Sequence, residues 1–94
     1  MNDMKTIIRL LSAIRESENS PMFNLIFVSE ETLRAKARDR DILAVKLQKA
    51  GLIEGLKIAD EPRNKVIWEI SEPEITLAGI EYLERVSNEG QNNR

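Results

Sequence analysis

Few side chains in this sequence are suited to catalysis. It contains no cysteine and no histidine, which excludes thiolate chemistry, disulfides, Zn–thiolate sites and the commonest general base. Its paired carboxylates have the spacing of caps and turns, and they lack the basic or glycine-rich neighbours of a metal or general-acid site. These pairs are Asp39/Asp41, Asp60/Glu61 and Glu72/Glu74. We therefore predict no catalytic residue, metal, cofactor or small-molecule substrate.

Positive charge collects in one short segment of an acidic chain. Residues 34–49 hold six Lys or Arg against two Asp, a local charge of +4. The rest of the chain sums to −6, since the whole protein carries −2. Such segregation lets one face approach phosphate groups. The segment predicts a nucleic-acid surface, a protein-binding surface or an ordinary solvated face.

A helix predicted over about residues 40–50, with Asp39 as its N-cap, would carry this charge. At about 100° per residue, Leu43 and Leu47 lie on one side, which we expect to face the core. The opposite side combines groups that suit guanine acceptors, cytosine N4 and the thymine methyl. The predicted DNA-binding residues around this helix are Arg34, Lys36, Arg38, Asp41, Ile42, Val45, Lys46 and Lys49. In the predicted wing they are Arg63, Asn64 and Lys65.

Local signals mark the ends of the helices. A first helix spans about residues 3–17, with apolar side chains at three- and four-residue spacing. Ser29 is the predicted N-cap of a second helix over about 30–37. Gly51 predicts a Schellman ending for the third helix. Thr76 is the predicted N-cap of the last helix.

Three segments have the composition of strands. Residues 22–28 form a short apolar run that predicts a buried strand, although a buried helical segment would look the same. Residues 52–58 and 65–70 predict the two strands of a wing. Val66, Trp68 and Ile70 alternate toward one face, so we expect Trp68 to be a core or half-buried residue rather than a platform for base stacking.

The resulting order is helix, short strand, helix, helix, two-stranded wing and helix. This order predicts an α+β, mainly α, winged helix-turn-helix. The length suits one domain, which we assign to residues 1–88. Residues 89–94 are polar and are predicted to be a frayed tail.

Two sequence segments resemble those of the YjcQ-like family of small winged-helix proteins from bacteria and their prophages. They are KLQKAGLIEGLKI (Lys46–Ile58) and ITLAGIEYLERVS (Ile75–Ser87), and MKTIIRLLSAI near the start has the same character. The resemblance implies a winged helix and nucleic-acid binding, without catalytic residues or a known ligand. Arg40 departs from the family pattern, which has an aromatic or apolar residue there.

We therefore predict a small DNA-binding protein, a prophage-type transcriptional regulator that reads duplex DNA with the third helix and the wing. A homodimer would enlarge the small interface of one winged helix. The sequence pI of 5.2 predicts modest, salt-dependent affinity. The alternative is a protein-protein interaction module in which Ile42 and Val45 form an apolar contact. We expect a cytoplasmic address and no membrane partner, because no signal peptide or membrane-length apolar run is present.

Overall fold

A computed structural model describes residues 3–60 and 65–92. Its elements are α1 (Asp3–Ser17), a first 3₁₀ helix (Leu25–Val28), α2 (Glu30–Leu33), α3 (Ala37–Lys49), β1 (Ile53–Glu54), β2 (Ile58–Asp60), β3 (Lys65–Val66), a second 3₁₀ helix (Trp68–Ile70), β4 (Glu74–Ile75) and α4 (Leu77–Asn92). The fold is a mainly helical α+β winged helix, as predicted. No helix in the described part of the chain is long and apolar enough to span a membrane.

Side-chain oxygens cap the starts of two helices at the predicted residues. At the start of α2, Ser29 Oγ accepts a hydrogen bond from Thr32 N at 3.1 Å. At the start of α4, Thr76 Oγ1 accepts from Gly79 N at 3.0 Å. Each bond satisfies an amide that has no partner within its helix. Both N-cap predictions are confirmed.

The end of α3 has the predicted Schellman geometry. Gly51 adopts a left-handed conformation with φ 79°, which costs glycine little because it has no Cβ. Its N–H donates to Gln48 O, and the N–H of Leu52 donates to Leu47 O, both at 3.0 Å. These two bonds satisfy carbonyls that the helix itself leaves free. The helix therefore ends where the sequence indicated.

The start of α3 differs from the prediction. The helix begins at Ala37 after Lys36, so the assignment of Asp39 as its N-cap is wrong. The reason is a bond from a neighbouring helix, since Glu30 Oε2 accepts from Ala37 N at 2.6 Å. α2 is also shorter than predicted, because Arg34 takes a left-handed conformation with φ 55° directly after it. The turn between the helices thus comprises residues 34–36.

The apolar run at 22–28 contains a 3₁₀ helix instead of the predicted strand. Asn24 Oδ1 accepts from Ile26 N at 3.0 Å, a local bond that competes with an extended backbone. Only Val28 of this helix is fully buried. Leu25 and Ile26 are exposed, so the prediction of a buried segment is wrong for them.

The wing hairpin is longer and less regular than predicted. β1 pairs with β4 and β2 pairs with β3, both antiparallel. Between these two ladders the second 3₁₀ helix interrupts one arm. Val66 and Trp68 are buried as expected, but Ile70 is 61% exposed, and the predicted alternation is wrong there.

Ser71 joins the two arms where the ladder is interrupted. Its side chain is buried. Oγ donates to Ile67 O at 2.8 Å and accepts from Lys57 N at 2.9 Å. One hydroxyl therefore replaces backbone bonds that the hairpin lacks at this point.

We expect Ser71→Ala to lower the free energy of unfolding by about 1–3 kcal/mol, because Lys57 N loses its acceptor. Urea denaturation measures the loss. The control is Ser87→Ala, inside α4. It should leave the free energy of unfolding unchanged, since alanine favours a helix. Equal stabilities for the two variants would contradict the bridging role.

The core lies between the helices and the hairpin. Its fully buried side chains include Leu10, Leu11, Ile14, Leu33 and Ile53. α4 crosses close to the end of α3, where a Cβ on Gly79 would overlap Leu52 O. The frayed tail was predicted over residues 89–94. The backbone of residues 89–92 belongs to α4, which continues to Asn92, and the prediction stays untested for residues 93–94, which lie outside the described ranges.

Candidate nucleic-acid interface

Exposed basic side chains surround the outer side of α3. Arg38, Lys46 and Lys49 lie within about 80° of one another around the helix axis, and all are exposed. Half-buried Ile42 lies among them. Arg34 and Lys36, in the turn before α3, are exposed as well.

Val45 does not belong to this outer side, contrary to the prediction. It is only 1% exposed and forms part of the hydrophobic core. Asp41 and Gln48 lie one turn before and after it, and both side chains bind the hairpin. Gln48 Oε1 accepts from Leu56 N at 2.8 Å, and Asp41 Oδ2 accepts from Val66 N at 3.3 Å. The hairpin therefore covers this flank of α3.

Asp41 is the second residue predicted on the wrong side. Its Oδ1 accepts from Trp68 Nε1 at 2.8 Å and from Arg40 Nε at 2.9 Å. With the bond from Val66 N to Oδ2, three donors use the carboxylate. Its side chain is only 15% exposed. Asp41 holds the wing against α3 and is not available to accept a hydrogen bond from cytosine.

These contacts leave the net charge of residues 34–49 unchanged. Arg40 and Asp41 form an ion pair and remove one charge of each sign. The five exposed cations remain against Asp39, so the local charge is still +4. We name this set the basic surface, and its cations are Arg34, Lys36, Arg38, Lys46 and Lys49.

The chain matches the family described as YjcQ protein over residues 6–90. It belongs to the YjcQ family. This result confirms the resemblance seen in the sequence. The match extends from α1 into α4, so nearly the whole winged helix is covered. No curated protein and no solved structure matches the chain.

Arg40, where the resemblance implied an aromatic or apolar residue, makes three contacts. Arg40 Nη1 donates to Val28 O at 2.9 Å. Its guanidinium lies over the ring of Trp68, 5.2 Å from the centroid. The bond to Asp41 completes the set. A planar cation can thus pack where an apolar side chain was expected, because it stacks on an aromatic face.

The wing of this YjcQ-family protein carries exposed lysines. Lys65 is exposed at the start of β3. Arg63 and Asn64 lie outside the described residues, so their assignment to the interface stays a prediction. Lys57 is exposed on the facing arm and was not predicted. The sequence could have predicted this exposure from the position of Lys57 between Leu56 and Ile58. Successive side chains of a strand point to opposite faces, so a residue between two apolar ones faces the solvent.

Proposed function

We propose that this YjcQ-family protein binds double-stranded DNA through the basic surface and the adjoining wing, as a prophage-type transcriptional regulator. One observation carries the proposal. The exposed side of α3 presents Arg38, Lys46 and Lys49 around Ile42, on a chain that is otherwise acidic. A helix with such a face suits the major groove.

The residues divide into two kinds of contact. Arg38, Lys46 and Lys49 can reach guanine N7 and O6 or the flanking phosphates, and Ile42 can meet a thymine methyl. Arg34, Lys36 and the wing lysines contact phosphates, which position the protein without reading sequence. Asp41 and Val45 take no part, since Asp41 binds the hairpin and Val45 lies in the hydrophobic core.

The acidic remainder of the chain limits the mode of binding. It repels phosphates, so the protein approaches DNA with the basic surface first. Binding releases counterions from the duplex and therefore weakens steeply with salt. A homodimer would add a second half-site, and the mass of the complex tests this.

The alternative, a protein-protein interaction module on the same face, has less support. It relied on an apolar contact formed by Ile42 and Val45, and Val45 is buried. Ile42 alone, half-buried and surrounded by cations, is too small for an apolar docking site.

The double variant Arg38→Glu/Lys49→Glu should lose DNA affinity by about 100-fold at low salt and show a shallower salt dependence, because two attractive groups become repulsive. Fluorescence anisotropy with a labelled duplex at two salt concentrations measures both. The control, Arg15→Glu/Arg85→Glu, makes the same change in net charge on the exposed sides of α1 and α4.

Pools of random and genomic duplexes then separate general from sequence-specific binding. We expect the control to retain affinity within a few fold. An equal loss in both double variants would show that net charge matters and the basic surface does not. No binding by the parent protein at low salt would overturn the proposal.

A further inference from the structure

A second exposed surface lies outside the basic surface. It comprises the segment after α1, the two 3₁₀ helices and the segment that leads into β4. Its apolar members are Met22, Leu25, Ile26 and Ile70, which are exposed by 77%, 42%, 66% and 61%. Its rim consists of Glu18, Glu69, Glu72 and Glu74. We name these eight residues the acidic-rimmed patch.

The patch is continuous and concave. Two neighbouring clefts of about 490 and 590 Å³ share five lining residues, Ser20, Pro21, Met22, Phe23 and Glu69. The first extends toward Ile70 and the glutamates, and the second toward Leu25 and Ile26. Apolar side chains grouped in a concave surface usually mark a docking site, whereas isolated ones need no explanation.

The floor of the patch is built in advance. The ring of Phe23 stacks on the ring of Trp68, with the ring centroids 5.9 Å apart. Phe23 also contacts Phe27, whose ring centroid lies 6.3 Å from that of Phe23. Trp68 is in turn fixed by its bond to Asp41. A preformed floor spares a partner the cost of ordering it.

The rim has one sign of charge. Glu69, Glu72 and Glu74 are exposed, and Glu18 is held at the rim because its Oε2 accepts from Ile75 N at 3.1 Å. Among the described residues that line the first cleft, none is Lys or Arg. The electrostatic complement of this rim is a cationic group.

The same charge argues against two other occupants. Duplex DNA would be repelled by the glutamates. A symmetric contact between two copies would bring both sets of glutamates together, since the same patch faces itself across a two-fold axis. Like charges placed opposite each other at an interface disfavour association.

We propose that the acidic-rimmed patch binds a cationic amphipathic segment of another protein, with apolar side chains on the aromatic floor and Lys or Arg against the rim. This partner site goes beyond the proposed DNA binding and does not depend on it. A protein with both surfaces can bind two different ligands at once, because they share no residue.

Three short fluorescent peptides test the chemistry with the full-length protein. The first carries leucines and lysines at helical spacing, the second has glutamate in place of every lysine, and the third has serine in place of every leucine. Anisotropy should show binding of the first, with affinity at least about tenfold weaker for the other two, the loss expected for one buried apolar anchor or a few charge contacts. Equal binding of all three would overturn the proposal.

Paired variants then locate the site. Ile26→Asp/Ile70→Asp and Glu69→Lys/Glu72→Lys should each weaken the first peptide by about tenfold or more. The matched controls are Leu77→Asp and Glu81→Lys/Glu84→Lys, at exposed positions of α4, and they should bind as the parent does. The altered side chains are all exposed, so circular dichroism should show a native fold.

Several results would overturn this assignment. One is peptide binding that the patch variants leave unchanged. Another is self-association of the protein that Ile26→Asp/Ile70→Asp abolishes, which would make a second copy the occupant. Arg38→Glu/Lys49→Glu should not weaken peptide binding, so failure of the DNA proposal and failure of this one give different results.

Discussion

Val45→Asp should leave the protein largely unfolded at ambient temperature, whereas Ile42→Asp should leave it folded. Val45 is 1% exposed in the hydrophobic core, so aspartate there must bury a carboxyl group without a designed partner. Such a change costs about 4–5 kcal/mol, comparable with the roughly 5–15 kcal/mol that holds a small domain together. Ile42 is half-buried on the outer side. Removing its side chain should lower the free energy of unfolding by about 1 kcal/mol.

Urea denaturation monitored by circular dichroism measures both changes. The pair is well matched, since each variant replaces a β-branched residue of α3 by the same acid. Ile42→Asp should in addition weaken DNA binding without unfolding, because it adds a negative charge to the basic surface. Similar stability losses in the two variants would contradict the burial of Val45 in the hydrophobic core.

Asp41→Ala should lower the free energy of unfolding by about 3–4 kcal/mol, because it leaves the Trp68 indole N–H, the Val66 amide and the Arg40 guanidinium without their shared acceptor. Trp68 is the one tryptophan of the chain, so its fluorescence should report the loosening directly. Asp41→Asn should recover part of the loss, since one amide oxygen can still accept.

Asp39→Ala is the control for this prediction. Asp39 lies in the first turn of the same helix, where its charge favours the dipole by about 0.3–1 kcal/mol. If Asp41→Ala cost no more than Asp39→Ala, the carboxylate would not be what joins α3 to the wing. A base-contacting role for Asp41 predicts the reverse pattern, with normal stability and altered DNA affinity.

The start of α2, the end of α3 and the start of α4 were predictable because each depends on residues close in sequence. The capping bonds of Ser29, Gly51 and Thr76 join residues a few positions apart, so the local sequence is enough to predict them. The start of α3 was not predictable in this way, since it depends on Glu30, seven residues away in another helix. Local signals fail where a distant group satisfies the same amide.

The exposure of the described cations was predicted correctly, and the exposure of Asp41 and Val45 was predicted wrongly. Lys46 and Lys49 extend into water under any packing, because a long charged side chain is costly to bury. Val45 was assigned to the outer side on the assumption that α3 is buried along one stripe. Its buried positions instead cover roughly 200° of the circumference, since helices pack on one flank and the hairpin on the next.

The acidic-rimmed patch was not predicted because residues 22–28 were expected to be a buried strand. A strand buried on both faces and a half-exposed 3₁₀ helix both tolerate Leu25, Ile26 and Phe27. Asn24 was the available signal, since its side chain favours a local turn. The exposure of Ile70 follows from the second 3₁₀ helix, which the alternation of residues 65–70 did not reveal.

Asp41 and Gln48 fasten the hairpin to α3 at two points that lie about two turns apart. Two attachment points restrict how far the hairpin can pivot relative to the helix. They therefore constrain the separation between the outward side chains of the two elements. Selectivity at this face would come from a ligand's spacing of charges.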